Sequence, residues 1–462
     1  MYPTNIYVKR REQLRKKIKS GVLLFLGNSD APMNYKDNIY PFRQDSTFLY
    51  YFGINHPDFT AVIDIDENKE IIFANDLSVD DIVWTGPQKS TCQLAKRAGL
   101  KNSAPINKLI PVIKKAIAGN RMIHYLPQYR SENKISLSKL LEINPSAINN
   151  YASHELTTTV ISQRSIKSKE EVADIEKAIN VSYEMYTTAM KIVKPGMYER
   201  EIAGFVEGIV LSAGGGLSFP TILSVHGETL HNHYHTNKMK SGDIFVMDSG
   251  AEVSNGYASD ITRTIPVNGK FSNMQKDIYE IVLDAQVSSI KAIKPGVKYK
   301  TVHLKAAKII TQGLKDLGLV KGNVSDAVAN GAHAMFFPHG LGHMMGLDVH
   351  DMENLGEQFV GYSKDDIRSE QFVLAYLRLA RELKSGFVLT VEPGIYFIPA
   401  LIDKWRKEKI NSRFINFEKV NKYRQFGGVR IEDDILVTNN GYRILGKPIP
   451  KTIKDVEAYC SK

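Results

Sequence analysis

The chain has 462 residues, of which 43% are hydrophobic and 24% are charged, a composition typical of globular proteins. A chain of this length exceeds what one hydrophobic core supports well, so two domains are expected. Its apolar runs, such as residues 21–26, are far shorter than the roughly eighteen apolar residues that a bilayer span requires. No apolar stretch follows the basic N-terminal residues, which argues against a secretory leader. A membrane protein is therefore not expected.

Charge and cysteine content narrow the class further. The formal net charge is +10, but lysines and arginines are interleaved with acids, as at residues 167–171. This pattern favours a solvated basic surface over one that binds nucleic acid, which is kept as the less favoured alternative. Two cysteines, Cys92 and Cys460, are too few for a disulfide framework. We expect a cytoplasmic protein with free thiols and no nucleic-acid partner.

The first third of the chain alternates short apolar runs with helical patterns. Turn residues at 66–68 separate two of the apolar runs, as between adjacent strands. The predicted strands are residues 21–26, 60–65 and 70–74, and the predicted helices are residues 79–83 and 109–118. We therefore predict an α/β N-terminal domain over residues 1–160.

A capped helix marks the start of the next domain. Ser168, followed three positions later by Glu171, is the signature of a helix N-terminus. The apolar periodicity then continues to Val193, and Lys194-Pro195-Gly196 ends the helix. We predict a second domain over residues 161–462.

One phrase of this second domain is repeated further along the chain. Ile293-Lys294-Pro295-Gly296 echoes residues 192–196, and each copy closes one long helix and precedes another. An apolar, acid-bearing β-rich segment follows each helix pair, at residues 242–264 and 388–437. The pattern predicts an α+β domain with an internal pseudo-duplication, whose halves face a central cleft suited to a ligand.

Four short segments of this domain concentrate acids and histidines. They are residues 247–264, 338–351, 389–394 and 428–434. Asp248, Glu392 and Glu432 each stand in or beside an apolar strand, where a carboxylate is costly unless it is paired, neutralised or bound to a cation. A pair of divalent ions shared between carboxylates satisfies them together. A carboxylate-rich set with one imidazole suits Mn²⁺, with Co²⁺ or Zn²⁺ as alternatives.

Each segment also has an ordinary structural explanation when taken alone. Asp-Ser-Gly at residues 248–250 is commonly a turn, and histidines such as His339 and His343 are commonly structural. Arg430 and Glu432 are compatible with a cross-strand ion pair. The specific signal is the joint occurrence of these segments in this order.

In combination the segments resemble the creatinase, methionine aminopeptidase and prolidase superfamily, whose catalytic domain has the pita-bread fold. The resemblance covers residues 160–460, and a weaker one, to the N-terminal domain of aminopeptidase P and prolidase, includes residues 40–46. It implies that two divalent metal ions are held by Asp248, Asp260, His343, Glu392 and Glu432. Because this ligand set is complete, the metal-free branch and a non-catalytic binding module are disfavoured.

The resemblance also implies roles for residues around the metals. Asp260 and Glu432 would bridge the two ions, and Glu392 would in addition shuttle protons. The other implied residues are His231 and His350 at the developing oxyanion, His339 at the proline, Arg430 behind Glu432, and Phe219 in the substrate pocket, where relatives often carry a tyrosine.

Two exopeptidase activities fit this ligand set. An Xaa-Pro dipeptidase is favoured by Arg378, which matches an arginine that holds the free carboxylate of the substrate in prolidases of the eukaryotic type, and a bidentate arginine suits that task. The alternative is an aminopeptidase that releases the first residue of longer peptides with proline second. The expected partners are small proline-containing peptides and further copies of the chain, as a homodimer or higher oligomer.

Overall fold

A computed structural model describes residues 1–366 and 368–461. The chain divides into two compact units. Unit 1 is Met1–Arg164 with Met352–Phe359, and unit 2 is Ser165–Asp351 with Val360–Lys462. The predicted boundary between residues 160 and 161 stays a prediction, and Lys462, the end of the second predicted domain, lies outside the described residues. No helix among the described residues is long and apolar enough to cross a membrane.

Unit 1 combines helices with one mixed sheet. Its helices are α1 (Thr4–Lys17), α2 (Ser46–Phe52), α3 (Val79–Thr85), α4 (Thr91–Arg97), α5 (Leu109–Ala118), α6 (Ser131–Leu141) and α7 (His154–Ser165). Its strands are β1 (Val22–Leu26), β2 (Thr60–Asp64), β3 (Lys69–Phe73), β4 (Asn102–Ala104) and β5 (Ile123–His124), in the order β4-β3-β2-β1-β5. The predicted helix over 109–118 coincides with α5, and the three predicted strands correspond to β1, β2 and β3.

The core of unit 1 lies between this sheet and its helices. Val22 and Leu24 of β1 point to the same face, as alternate strand residues do, and both are buried. Leu109 and Ile113 of α5 are four positions apart and present one buried stripe to the same cluster. The apolar pattern of the sequence therefore encodes this layer directly.

Unit 2 carries longer helices and several short sheets. The helices that follow α7 in the chain are α8 (Lys169–Ile192), α9 (Glu199–Ser212), α10 (Asn273–Lys291), α11 (Tyr299–Asp316), α12 (Val324–Ala329), α13 (Glu357–Val360), α14 (Pro399–Lys407), α15 (Phe417–Asn421) and α16 (Ile453–Cys460). Of these, α13 begins in the Met352–Phe359 segment that belongs to unit 1. The strands are β6 (Gly216–Leu217), β7 (Ile222–Ser224), β8 (Ile244–Ser249), β9 (Ala251–Glu252), β10 (Ile261–Pro266), β11 (Val388–Val391), β12 (Gly394–Tyr396), β13 (Gly428–Arg430), β14 (Asp433–Val437) and β15 (Tyr442–Ile444).

The two halves of unit 2 repeat one arrangement. Gly196 separates α8 from α9 and Gly296 separates α10 from α11, with φ of 97° and 85°, values that favour glycine. The N–H of Gly196 donates to the carbonyl of Met239 at 2.8 Å, and the N–H of Gly296 donates to that of Leu383 at 3.0 Å. Matching isolated bridges follow at Tyr198–Lys238 and Lys298–Glu382. The internal duplication predicted from the repeated Lys-Pro-Gly is therefore present.

The short sheets of unit 2 hold acids in its interior. β8 lies between β7 and β10, and Asp248 of β8 stands opposite Thr262 and Ile222. β11 pairs with β14, β12 pairs with β13, and an isolated bridge joins Thr262 to Glu432. Every residue of β8 and β10 is buried. Asp248 in β8 and Asp260 directly before β10 are therefore held in a region that water reaches poorly.

The β-rich segment predicted over residues 388–437 carries its strands at both ends and two helices in its middle. The helices α14 and α15 lie between β12 and β13. Pro399 occupies the first turn of α14, a position that favours helix initiation, and Ile402 and Trp405, three positions apart, are its buried residues. The spacing of these two apolar residues is that of a helix, and it was present in the sequence within a segment that is apolar overall.

Candidate active site and metal centre

A cavity of about 290 Å³ lies in unit 2. All the residues that the sequence analysis assigned to the site line it: Phe219, His231, Asp248, Asp260, His339, His343, His350, Arg378, Glu392, Arg430 and Glu432. The structure therefore brings together side chains that are separated by more than two hundred positions in the chain, from Phe219 to Glu432, while their individual roles stay predictions. His233 and Tyr376 also line the cavity, and the sequence analysis did not assign them.

The buried carboxylates converge on one point of this cavity. Asp260 precedes β10, and Glu432 lies between β13 and β14. Ligand atoms of Asp260, His343 and Glu432 all lie within 4.8 Å of one another. The backbone N–H of Asp260 donates to Oδ2 of Asp434 at 3.0 Å, which fixes the start of β10. These residues thus form a compact set of ligands for a cation.

The pKa values of the carboxylates reflect their burial and their closeness to one another. Burial, followed by the charge of Glu432, raises the pKa of Asp260 well above its usual value. Burial and the charge of Glu392 do the same to the pKa of Glu432, and burial raises the pKa of Glu392 to about 7. Oδ1 of Asp248 and Oε1 of Glu432 are buried without a hydrogen-bond partner among the described residues. Divalent cations satisfy both the excess negative charge and these oxygens, so the residues present fit a metal centre.

His343 is oriented to present one nitrogen to the acids. Its Nδ1 lies 3.1 Å from the carbonyl oxygen of Met344; because a carbonyl only accepts, we infer that Nδ1 carries the hydrogen. Its Nε2 lies 3.4 Å from Oδ2 of Asp260 and 3.5 Å from Oε1 of Glu392. Burial, followed by the charge of His350, holds the pKa of His343 well below its usual value. A neutral imidazole whose Nε2 lone pair faces carboxylates is suited to bind a metal ion together with them.

Arg430 contacts one of the acids directly and another through a threonine. The resemblance implied that it lies behind Glu432, but its Nη2 donates to Oδ2 of Asp248 at 2.6 Å. It reaches Glu432 only through Thr262: Nε of Arg430 donates to Oγ1 of Thr262 at 3.2 Å, and that hydroxyl donates to Oε2 of Glu432 at 2.6 Å. The contact through Thr262 is compatible with the implied role of Arg430 beside Glu432, which stays a prediction. The direct contact with Asp248 crosses between strands that are far apart in the sequence, so no local pattern indicated it.

Tyr396 links this arginine to His339. Nη1 of Arg430 donates to the Tyr396 hydroxyl at 2.9 Å, and the hydroxyl lies 2.9 Å from Nε2 of His339. Nδ1 of His339 lies 2.8 Å from the carbonyl oxygen of Gly340, so Nδ1 is the donor and Nε2 accepts from the tyrosine. Burial, followed by the charge of Arg430, lowers the pKa of His339 to about 3. His339 is therefore neutral and held in one orientation.

The sequence analysis missed Tyr396 and Thr262, although one signal for Tyr396 was available. A Cβ at Gly428, opposite Tyr396 in the β12–β13 pair, would lie 2.5 Å from Cδ1 of Tyr396. A Cβ at Gly394 would lie 2.4 Å from its hydroxyl oxygen. Glycines at strand positions mark a close approach of another group, and here that group is the Tyr396 ring.

The remaining predicted residues surround the ligand set. The ring of His350 contacts that of His343 in a tilted arrangement, with centroids 4.1 Å apart. Burial, then the charges of Arg430 and other nearby groups, lowers the pKa of His231. Phe219 and Arg378 contribute to the cavity wall. A cavity with clustered carboxylates, one oriented imidazole facing them and the neutral His339 beside them defines this protein as a metal-dependent enzyme.

Comparison with known proteins agrees with this class. The model of metallopeptidase family M24 matches residues 173–439, and that of the aminopeptidase P N-terminal domain matches residues 7–124. The Xaa-Pro dipeptidase of Homo sapiens is 32% identical over 463 residues, covering 97% of this chain and 90% of that protein. The probable Xaa-Pro aminopeptidase pepP of Metarhizium acridum is 32% identical over 470 residues, covering 100% and 90%.

Solved structures of similar proteins cover the whole chain. Zn-substituted aminopeptidase P of E. coli in complex with product has a TM-score of 0.81 at 27% identity, over 100% of this chain and 98% of that one. The aminopeptidase PepP of Pseudomonas aeruginosa has a TM-score of 0.83 at 28% identity, with the same coverage. The chain belongs to metallopeptidase family M24. The predicted fold class, an α/β N-terminal domain followed by a pita-bread catalytic domain, is confirmed.

Proposed function

We propose that this protein hydrolyses the peptide bond between a first residue and a following proline, with two divalent metal ions in its cavity. The observation that carries the proposal is the convergence of buried carboxylates on the neutral imidazole of His343. The five proposed ligands are Asp248, Asp260, His343, Glu392 and Glu432. The similar proteins named Xaa-Pro dipeptidase and Xaa-Pro aminopeptidase support the proline specificity.

The donor set favours Mn²⁺. Carboxylate oxygens with one imidazole are hard to borderline donors, so Mn²⁺ is proposed, with Co²⁺ and Zn²⁺ as alternatives. When bound, such ions polarise a carbonyl and lower the pKa of water, so that a nucleophile forms near neutral pH. Chelator-treated protein should lose hydrolysis of Ala-Pro and recover it on addition of Mn²⁺. Full activity in a sample shown by elemental analysis to be metal-free would contradict the proposal.

The chain's own residues complete the chemistry. Glu392, whose pKa burial raises to about 7, is suited to accept a proton and pass it to the leaving nitrogen. His231 and His350 line the cavity and are proposed to donate hydrogen bonds to the oxyanion that develops during attack. His339, held by Tyr396, and the ring of Phe219 are proposed to flank the proline.

Arg378 supports a preference for dipeptides. It lines the cavity and contributes to the electrostatics of His231, His339, His343 and Glu392. A guanidinium there suits the free carboxylate of an Xaa-Pro dipeptide, with which it forms a bidentate, charge-assisted contact. In a longer peptide the same position holds a neutral amide.

Replacement of this arginine tests the dipeptidase proposal. Arg378→Ala should lower kcat/KM for Ala-Pro about ten- to hundredfold more than for Ala-Pro-Ala, because a charge-assisted hydrogen bond contributes about 1.5–3 kcal/mol. Arg443→Ala, which removes a partly exposed arginine that pairs with Glu176, is the matched control and should leave the ratio unchanged. A ratio that Arg378→Ala does not alter would favour the aminopeptidase.

The aminopeptidase is the second candidate. The solved structures that match the whole chain include aminopeptidase P from two organisms, and one of the similar proteins carries the name Xaa-Pro aminopeptidase. A preference for Ala-Pro-Ala over Ala-Pro in the metal-loaded wild type would select this activity. The two candidates share the metal centre and differ only in the contacts beyond the proline.

We further propose that the protein is a cytoplasmic homo-oligomer. The helix α3 of unit 1 buries none of its residues, and Val79, Val83 and Trp84 are exposed on it; apolar side chains grouped in this way are typical of a surface covered by a second copy. Both cysteines are free thiols, as expected in a reducing compartment. Sedimentation of wild type and Val83→Glu compares their masses; an unchanged oligomer in the variant would exclude α3 from the interface.

A further inference from the structure

The segment that carries Arg378 alternates between core and cavity. Leu377 has extended backbone angles, φ −68° and ψ 118°. Its side chain is buried, and its carbonyl accepts a hydrogen bond of 2.7 Å from the Tyr362 hydroxyl. Residues on either side of an extended residue point the same way, and both Tyr376 and Arg378 line the cavity. The ring of Tyr376 therefore stands beside the proposed carboxylate site, about 7 Å further along the segment.

Tyr376 continues into a second exposed aromatic ring. The centroids of Tyr376 and Phe372 lie 6.5 Å apart in an edge-to-face arrangement, and Phe372 makes a similar contact with Trp405 at 6.5 Å. Tyr376 is 65% exposed and Phe372 is 45% exposed, whereas Trp405 is buried. We call Phe372 and Tyr376 the aromatic shelf. It is an apolar surface that begins at the cavity and rests on the core through Trp405.

The shelf is held in place by its backbone. Val373, between the two rings, has φ 74° and ψ −53°, an uncommon and strained conformation for a β-branched residue. The N–H of Tyr376 donates to the carbonyl of Val373 at 2.9 Å. Arg368 and Gln371 donate side-chain hydrogen bonds of 3.0 Å to the carbonyls of Ala375 and Ala329. Strain of this kind persists where the surroundings impose it, and it clusters at ligand-binding segments.

We propose that the aromatic shelf binds an apolar side chain, preferably an aromatic one, of the residue that follows proline in substrates longer than a dipeptide. The proposal rests on the proposed function and adds a specificity to it. An extended peptide advances about 3.3–3.6 Å per residue, so a substrate whose proline carbonyl group lies at Arg378 places its next side chain within reach of Tyr376. A dipeptide ends at the arginine, whereas a tripeptide continues onto the shelf.

The preference for one third residue of a tripeptide over another tests binding at the aromatic shelf directly. In the metal-loaded wild type, kcat/KM for Ala-Pro-Phe should exceed that for Ala-Pro-Gly about tenfold, because contacts between aromatic rings add to the burial of apolar area. Tyr376→Ala and Phe372→Ala should each reduce this ratio at least threefold. Tyr376→Phe should keep the ratio, since the ring and not the hydroxyl makes the contact. Phe205→Ala, which removes a 57% exposed aromatic ring from α9, is the matched control and should also keep it.

Binding of the corresponding products provides a readout that does not need turnover. Calorimetric titration of Pro-Phe and Pro-Gly into the metal-loaded protein should show tighter binding of Pro-Phe in the wild type, Tyr376→Phe and Phe205→Ala, and a reduced difference in the two shelf alanine variants. Equal binding of both products by the wild type, or a difference that both alanine variants retain, would overturn the shelf. Lack of hydrolysis of every Xaa-Pro substrate, with the product selectivity intact, would instead overturn the proposed function alone.

Discussion

At the scale of single residues, one buried arginine organises the site. Arg430 donates to Asp248, Thr262 and Tyr396, and so connects a proposed metal ligand to the histidine that is proposed to contact proline. The acids themselves were predictable, because a carboxylate in an apolar strand is anomalous in any local pattern. Tyr396 was harder to predict. Gly394 and Gly428 indicated the close approach of another group, but only the pairing of β12 with β13 identifies that group as the Tyr396 ring.

The ligand and oxyanion roles separate experimentally. Asp260→Asn should lower turnover by several orders of magnitude and reduce the metal bound per chain, because the amide lacks the charge that a bridging carboxylate supplies. His350→Ala should lower kcat by about 10²–10³ with metal content unchanged, the loss expected for one oxyanion donor. Elemental analysis of both purified variants checks this division. Equal metal loss in the two would contradict it.

The Tyr396 hydroxyl has a positioning role that can be isolated. Tyr396→Phe removes the donor to His339 and an acceptor for Arg430 while keeping the ring, so kcat/KM should fall about tenfold, as for a hydrogen bond worth about 1.5 kcal/mol. Metal content and melting temperature serve as readouts of intact ligands and fold. Tyr423→Phe, a substitution on the neighbouring aromatic cluster around Phe397, is the control. Activity equal to that of the wild type would remove Tyr396 from the mechanism.

At the scale of elements, local signals predicted helix ends better than pairings. Ser168 and Glu171 form the predicted capping box, with the Ser168 N–H donating to Oε2 of Glu171 at 2.9 Å. The repeated Lys-Pro-Gly likewise located both helix junctions. By contrast, the bridge from Thr262 to Glu432 joins residues 170 positions apart, and no local pattern specifies such a pairing because register depends on tertiary packing.

We expect the free energy of unfolding to depend on pH because histidines are buried where α11 packs against the turn at Ala332–Met335. His333 and His303 are buried there with ring centroids 6.1 Å apart. Burial lowers the pKa of His333 to about 4, below the unfolded value of about 6.5. Between these values the unfolded chain binds more protons, so the free energy of unfolding falls as pH falls, by about 2 kcal/mol between pH 7.5 and pH 5 from this group.

Urea unfolding in the presence of chelator tests this dependence. His333→Leu should be less sensitive to acid than the wild type by about the same 2 kcal/mol, since it removes the group that protonates on unfolding. The exposed His154→Leu should leave the pH dependence as in the wild type. If His333→Leu and the wild type lose equal stability between pH 7.5 and pH 5, His333 is not the source.

At the scale of the whole molecule, composition and length predicted a globular protein of two domains but not which segments of the chain pack together. Two domains are expected from the number of residues that one core supports. The two similar halves of unit 2 are expected from the repeated Lys-Pro-Gly. The segment Met352–Phe359 packs with unit 1 although the residues on either side of it belong to unit 2. No local sequence pattern predicts this, because it depends on tertiary contacts with residues that are distant in the chain.

The two tryptophans of the chain allow metal-linked stability to be observed in unit 2 alone. Trp405 of α14 is 4% exposed and Trp84 of α3 is 86% exposed in the single chain. The Trp84→Phe variant therefore restricts the change in fluorescence on heating to the unfolding around Trp405. Metal bound only by the folded state at a hundred times its Kd adds about 2.7 kcal/mol. That corresponds to a rise of about 5–10 °C in the Trp405 transition. The rise should be absent in Asp260→Asn, which lacks a bridging carboxylate, and present in Trp84→Phe, which removes the exposed reporter. A rise of equal size in Asp260→Asn would place the stabilising metal outside the carboxylate cavity.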